Sequence, residues 1–84
     1  MKLIFCPSCT DVVRLFDKRR DCKCGESGGK YTGSLIAEIY GKAIPLGFDN
    51  TSLGQALRNR PGDGMGERFG AFVIPHECST VKQR

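Results

Sequence analysis

Cys6-Pro7-Ser8-Cys9 and, twelve residues further on, Cys22-Lys23-Cys24-Gly25 decide how this chain is read. A Cys-x-x-Cys or Cys-x-Cys turn puts two thiolates on one side of a tight backbone loop, where both reach one ion at about 2.3 Å. Backbone N–H groups in such turns point at sulfur and stabilise the anionic ligands. Gly25 suits the close approach that follows Cys24. Two turns supply four thiolates, and a tetrahedral site filled by four cysteines has no open position for substrate. Cys6, Cys9, Cys22 and Cys24 are therefore expected to hold a structural ion, with zinc (Zn2+) the first choice. Iron held by the same thiolates is the main rival, and disulfide pairing is the other reading.

The rest of the composition agrees with a stapled small fold. Eighty-four residues with 39% hydrophobic content and no Trp bury a modest core, so an extra staple is expected. No apolar run approaches membrane-spanning length, and Met1–Cys6 is too short to act as a signal peptide. The expected compartment is cytoplasmic, where thiols stay reduced and paired cysteines favour metal over disulfides. The net charge of +4 is uneven: residues 1–24 hold six basic against three acidic side chains. This mild bias is compatible with nucleic acid or phosphate, and equally with a solvated surface.

Outward from the cysteines, Val12–Phe16 reads as a strand and Asp17–Asp21 as an exposed hairpin tip, with the chain returning through Cys22. Glu26–Gly29 reads as a flexible connector, Tyr31–Tyr40 as a loosely alternating strand, and Ala43–Phe48 as a second extended segment that Pro45 assigns to an edge or a bulge. Ser52 with Gln55 fits a capping box, Asn50 competes as the cap, and Leu53, Ala56 and Leu57 recur at helical spacing. A helix over 53–59, ended by Pro61, is expected to pack on the sheet. Arg60–Gly70 is a glycine-rich loop, Phe69–Pro75 the most strand-like run of the second half, and Ser79–Arg84 a polar tail expected to fray.

Framed by short strands, the CPSC and CKCG turns resemble those of the zinc-ribbon superfamily, over about the first third of the chain. That resemblance implies Cys6, Cys9, Cys22 and Cys24 as ligands, and roles in nucleic-acid binding, transcription machinery or protein–protein contact. The remainder looks like a small bacterial or phage protein. The expected fold is small α+β: a ribbon over 1–30, then a β-rich part over 31–78 with a short antiparallel sheet and one helix. Removing the metal is expected to unfold residues 1–30.

Three further sets of residues are candidates for function. Lys18, Arg19 and Arg20 at the tip are positioned to reach a nucleic-acid backbone or a protein partner, although solubility alone accounts for three adjacent bases. Arg58, Arg60 and Arg68 flank a glycine-rich stretch able to approach a phosphate-bearing small molecule or nucleotide. That stretch lacks the Lys-Ser/Thr ending of a P-loop, and a solvated loop is the simpler reading. His76 and Cys78 would share a strand face, but no acidic orienter accompanies them. The aromatic residues do not alternate with bases along the chain, so no stacking platform is read from it. The leading expectation is a non-enzymatic binding or adaptor module contacting nucleic acid or protein. The alternative is a nucleotide binder using loop 58–70.

Overall fold

The computed structural model describes residues 1–84. Its elements in chain order are β1 (Lys2–Phe5), β2 (Val12–Arg14), β3 (Arg20–Asp21), β4 (Ser27–Tyr31), β5 (Ala37–Gly41), β6 (Ile44–Phe48), α1 (Asn50–Arg58), β7 (Ala71–Val73) and β8 (Val81–Gln83). They form two four-stranded sheets, ordered β2-β1-β6-β7 and β3-β4-β5-β8. The fold is α+β, with the cluster of Cys6, Cys9, Cys22 and Cys24 in its N-terminal part.

Each cysteine turn closes its own hairpin. β1 pairs antiparallel with β2 around Cys6 and Cys9, and β3 with β4 around Cys22 and Cys24. The expected single hairpin, outward along 12–16 and back along 19–22, is corrected accordingly. β2 and β3 edge different sheets, and the chain crosses between the layers over residues 15–19. The reason is local. A strand that enters a knuckle pairs most directly with the strand that leaves it, across a six-residue turn. The sheets also interleave the chain, because β1 pairs on its other side with β6.

The stretch read as a flexible connector is instead β4, whose Ser27, Gly28 and Gly29 are all buried. Its glycines are there for close packing. A Cβ on Gly28 would collide with the Asp21 side chain, and one on Gly29 with the Glu38 carbonyl oxygen and Leu15. The single strand expected over 31–40 divides into β4 and β5, which turn at 32–36 and pair Tyr31 with Ala37. The C-terminal tail does not fray. β8 runs parallel to β5, with the Arg84 amide donating to the Ile39 carbonyl at 2.8 Å and its guanidinium paired to Glu38. Polarity misled the reading here, since a parallel edge strand needs backbone pairing rather than apolar side chains.

α1 starts earlier than expected. Asp49, neither Ser52 nor Asn50, caps it by accepting from the Thr51 amide at 3.2 Å. The Ser52 hydroxyl accepts instead from the Gly70 amide at 2.8 Å, which ties the helix start to the far end of the glycine-rich loop. The expectation that the helix packs on a sheet is also corrected: no residue of α1 is buried, and Leu57 is 64% exposed. The core lies instead between the two sheets, where Ile4, Cys6, Val13, Leu15, Cys22, Ala37, Ile39 and Ala43 form one cluster. Two of the expected metal ligands are thus core residues.

Candidate metal centre

The two knuckles repeat one backbone pattern. The amide of the first cysteine donates to the carbonyl five residues on, Cys6 to Asp11 at 2.9 Å and Cys22 to Ser27 at 2.8 Å. The residue after the second cysteine takes positive φ in each, Gly25 at 81° and Thr10 at 59°. Glycine is the natural occupant there. Threonine is not, because its branched Cβ crowds the left-handed backbone.

All four Sγ atoms lie within 4.8 Å of one another, with Cys24 at 3.7 Å from Cys6 and 3.6 Å from Cys22. Four sulfurs in tetrahedral array, each about 2.3 Å from one ion, lie about 3.8 Å apart. The cluster therefore has the dimensions of a tetrathiolate site. Cys6 and Cys22 are buried, Cys9 is half-buried and Cys24 is exposed, so the site opens to solvent on one side. All five cysteines are free thiols, and no disulfide forms.

Surrounding groups favour negative sulfur at two positions. The Ser27 hydroxyl most strongly lowers the Cys6 thiol, helped by the Cys9 and Ser8 amides against the effect of burial, and brings it to about 6. That hydroxyl is buried and has no other hydrogen-bond partner, so a Cys6 thiolate would answer a polar group that is otherwise left alone. At Cys22, burial raises the thiol, but the Ser27 amide, donating at 3.3 Å, and Cys24 outweigh it, so the net shift is downward. At Cys24 the Glu26 amide pulls the thiol down, but lost hydration and the thiols of Cys22, Cys9 and Cys6 push it up to about 12. These four crowded sulfurs cannot all ionise alone; a bound cation removes the conflict.

Two residues that sequence reasoning missed hold the knuckles together. The Asp11 carboxylate, from the first turn, accepts from the Lys23 amide in the second at 2.9 Å. Lys42, from the β5–β6 turn, bridges Ser8 of one knuckle at 3.4 Å and Glu26 of the other at 3.3 Å. Nothing in the spacing of Asp11 or Lys42 announces these roles, which arise from the meeting of the two hairpins.

The basic tip is not one patch. Lys18 is exposed and unpaired. Arg19 lies over the Tyr40 ring at 4.4 Å, with its Nε 2.8 Å from Asp21. Arg20 turns the other way and lies over Phe16 at 4.9 Å, where Arg14 also stacks at 4.7 Å. Arg14 and Phe16 thus join the candidates. The fold does bring aromatic and basic side chains together, although they do not alternate along the chain.

The remaining candidates stay apart. Arg58, Arg60 and Arg68 lie in an exposed stretch, and neither of the two cavities, about 320 and 230 Å³, touches them. His76 sits in a bend at the mouth of the larger cavity, not on a strand. Cys78 contacts Thr80 at 3.3 Å, and that hydroxyl lowers its thiol. No hydrogen bond joins His76 to Cys78. No helix is long and apolar enough to cross a membrane.

No family model matches the chain, and comparison with curated proteins and with solved structures finds no match. The geometry shows a four-cysteine group able to hold a metal ion.

Proposed function

We propose that this chain is a non-enzymatic binding module of zinc-ribbon type. A structural zinc holds its two knuckles, and the basic connection between them contacts a polyanionic partner, either nucleic acid or an acidic protein surface. The observation that carries the reading is the convergence of four thiols from two hairpin turns, 3.6–3.7 Å apart where they touch. An ion there has four protein ligands and no position for substrate, so its role is to fix geometry. The geometry it fixes includes residues 15–19, which run from one metal-bound hairpin to the other. Lys18 and Arg19 leave from this connection, and Arg20 from the start of β3 that follows it.

Zinc is favoured over iron because the tetrathiolate dimensions suit both, while zinc needs no redox role that nothing else in the chain supports. Elemental analysis of purified protein should give one zinc per chain; a red, iron-containing protein would replace zinc in this account. Contact with a polyanion is tested on heparin resin, which presents charge without sequence. Metal-loaded protein should be retained, and Lys18→Glu/Arg19→Glu/Arg20→Glu should elute at lower salt with its zinc intact. Unchanged elution of that variant would remove the connection from the proposed surface.

A further inference from the structure

We infer that the contact surface is the Arg14–Phe16–Arg20 stack and that its partner is a single strand of nucleic acid. This rests on the polyanion-binding reading above and makes it specific. Arg14 and Arg20 place their guanidinium groups 4.7 and 4.9 Å from the centre of one phenyl ring. Arg20 also donates to the Arg14 backbone carbonyl at 3.4 Å, which fixes the Arg20 side chain beside β2. Phe16 is 40% exposed although it is among the larger apolar residues. It lies at the seam where β2, the edge of one sheet, meets β3, the edge of the other.

Charge separates this stack from its neighbour. The ion pairs of the protein are Arg19–Asp21, Lys42–Glu26 and Arg84–Glu38. Arg19 stacks on Tyr40 but its charge is answered by Asp21 at 2.8 Å. Arg14 and Arg20 have no carboxylate partner. A guanidinium lying over a ring keeps its N–H donors at its rim, in its own plane, while its flat face is occupied by π contact. Two such rims beside one partly exposed ring offer phosphate oxygens in-plane donors, and the outer guanidinium faces with the exposed part of Phe16 offer an unpaired base a stacking surface.

A duplex would use only half of this. Its bases are stacked away, and reading them needs an element that enters a groove. Here the flanking strands are three and two residues long and lie in different sheets, so nothing projects. An acidic protein would satisfy the guanidinium groups but gives the ring no flat partner. A single strand supplies both chemistries.

The test is fluorescence anisotropy with zinc-loaded protein and labelled oligothymidine roughly 12 nucleotides long, against a duplex of equal length, over a salt series. The single strand should bind at least about tenfold more tightly than the duplex at equal salt. Arg14→Gln/Arg20→Gln should weaken binding and reduce the slope of log K against log salt by about 1.4, the loss of two phosphate contacts. Phe16→Ala should weaken binding about fivefold or more with the slope retained. Phe16→Leu, which keeps apolar bulk without a ring, should fall with it even if the alanine variant folds poorly. Arg58→Gln/Arg60→Gln removes the same charge elsewhere and should change neither quantity.

Equal or tighter duplex binding would overturn the inference. So would a loss of affinity in the Arg58/Arg60 control as large as in the Arg14/Arg20 variant, or unaltered affinity in both Phe16 variants. Preferential binding of polyglutamate over the oligonucleotide would likewise replace nucleic acid with an acidic protein. If heparin retains the protein while any of these occurs, the polyanion reading stands and only the single-strand assignment fails. If heparin does not retain it, both fall.

Discussion

Thr10 occupies the backbone position that Gly25 occupies in the other knuckle, at φ 59° against 81°. A left-handed conformation costs an L-residue roughly 1–2 kcal/mol, and a β-branched side chain lies at the unfavourable end. Thr10 recovers part of this through its hydroxyl, which donates to the Cys9 carbonyl at 2.7 Å. Thr10→Gly should therefore stabilise the metal-loaded protein by about 1 kcal/mol after the entropy of glycine is counted, raising Tm by about 4–8 °C. A lowered Tm in a calorimetric melt would mean that the hydroxyl bond outweighs the strain. The position was legible only by analogy: Gly25 follows its cysteine visibly, whereas a threonine after Cys9 gives no hint of positive φ.

Proton competition at the sulfurs sets how the site responds to pH. In the metal-free fold Cys6, lowered to about 6, contributes stability above the ordinary thiol range that is lost as pH falls through that value. Cys24, pushed up to about 12, has the opposite sign and contributes below the ordinary range, with loss as pH rises toward 12. Metal must displace the Cys24 proton at neutral pH but meets Cys6 already ionised. Affinity should thus rise by at least about tenfold per pH unit, the proton lost from Cys24 alone, and the dependence should steepen below about 6, where Cys6 also binds a proton. Competition with a chromophoric chelator from acid to alkaline pH measures this slope. Ser27→Ala, which removes the buried donor beside Cys6, should lower apparent metal affinity about tenfold. An unchanged affinity would leave the Ser27 hydroxyl with no part in the site.

At the scale of elements, β8 is where a polar sequence conceals structure. Val81–Gln83 holds one apolar residue, so periodicity has nothing to register. The strand forms because β5 offers an open edge, and Val81 packs against the core cluster beside Ala37. Glu38 answers Arg84 and is itself lowered by it, then by the Tyr40 hydroxyl that donates at 3.0 Å. Truncation after Thr80 should therefore uncover β5 and lower Tm by more than 5 °C or so, the scale expected for losing about 1 kcal/mol in a domain this size. Retained stability would show that β8 merely decorates the edge. The same contrast explains the other elements. Knuckles, helix and apolar runs were legible because cysteine spacing, capping residues and hydrophobic pattern are local. The division of strands between two sheets was not, since it depends on which edge each strand finds.

At the scale of the whole molecule, that division changes what the metal does. The expectation from sequence was a self-contained ribbon over 1–30, lost alone when the ion is removed. In the structure one cysteine pair belongs to the sheet of β1, β2, β6 and β7, and the other to the sheet of β3, β4, β5 and β8. An ion between them would clamp layer to layer. Only 14 of 84 residues are buried, and two of them are ligand cysteines at the centre of the inter-sheet cluster. Side-chain ties between the halves are mostly exposed; the Lys2 amide donating to the Tyr31 hydroxyl at 2.9 Å is a part-buried one. A structural zinc contributes on the order of 10 kcal/mol, comparable to the entire stability of an ordinary domain. Chelation should then abolish both layers in one transition. Far-UV ellipticity, which reports all strands, and near-UV ellipticity, which reports Tyr31 and Tyr40 in the second sheet, should fall together with metal loss. If the tyrosine signal survives after the ion has gone, the second sheet stands alone and the metal staples only the first.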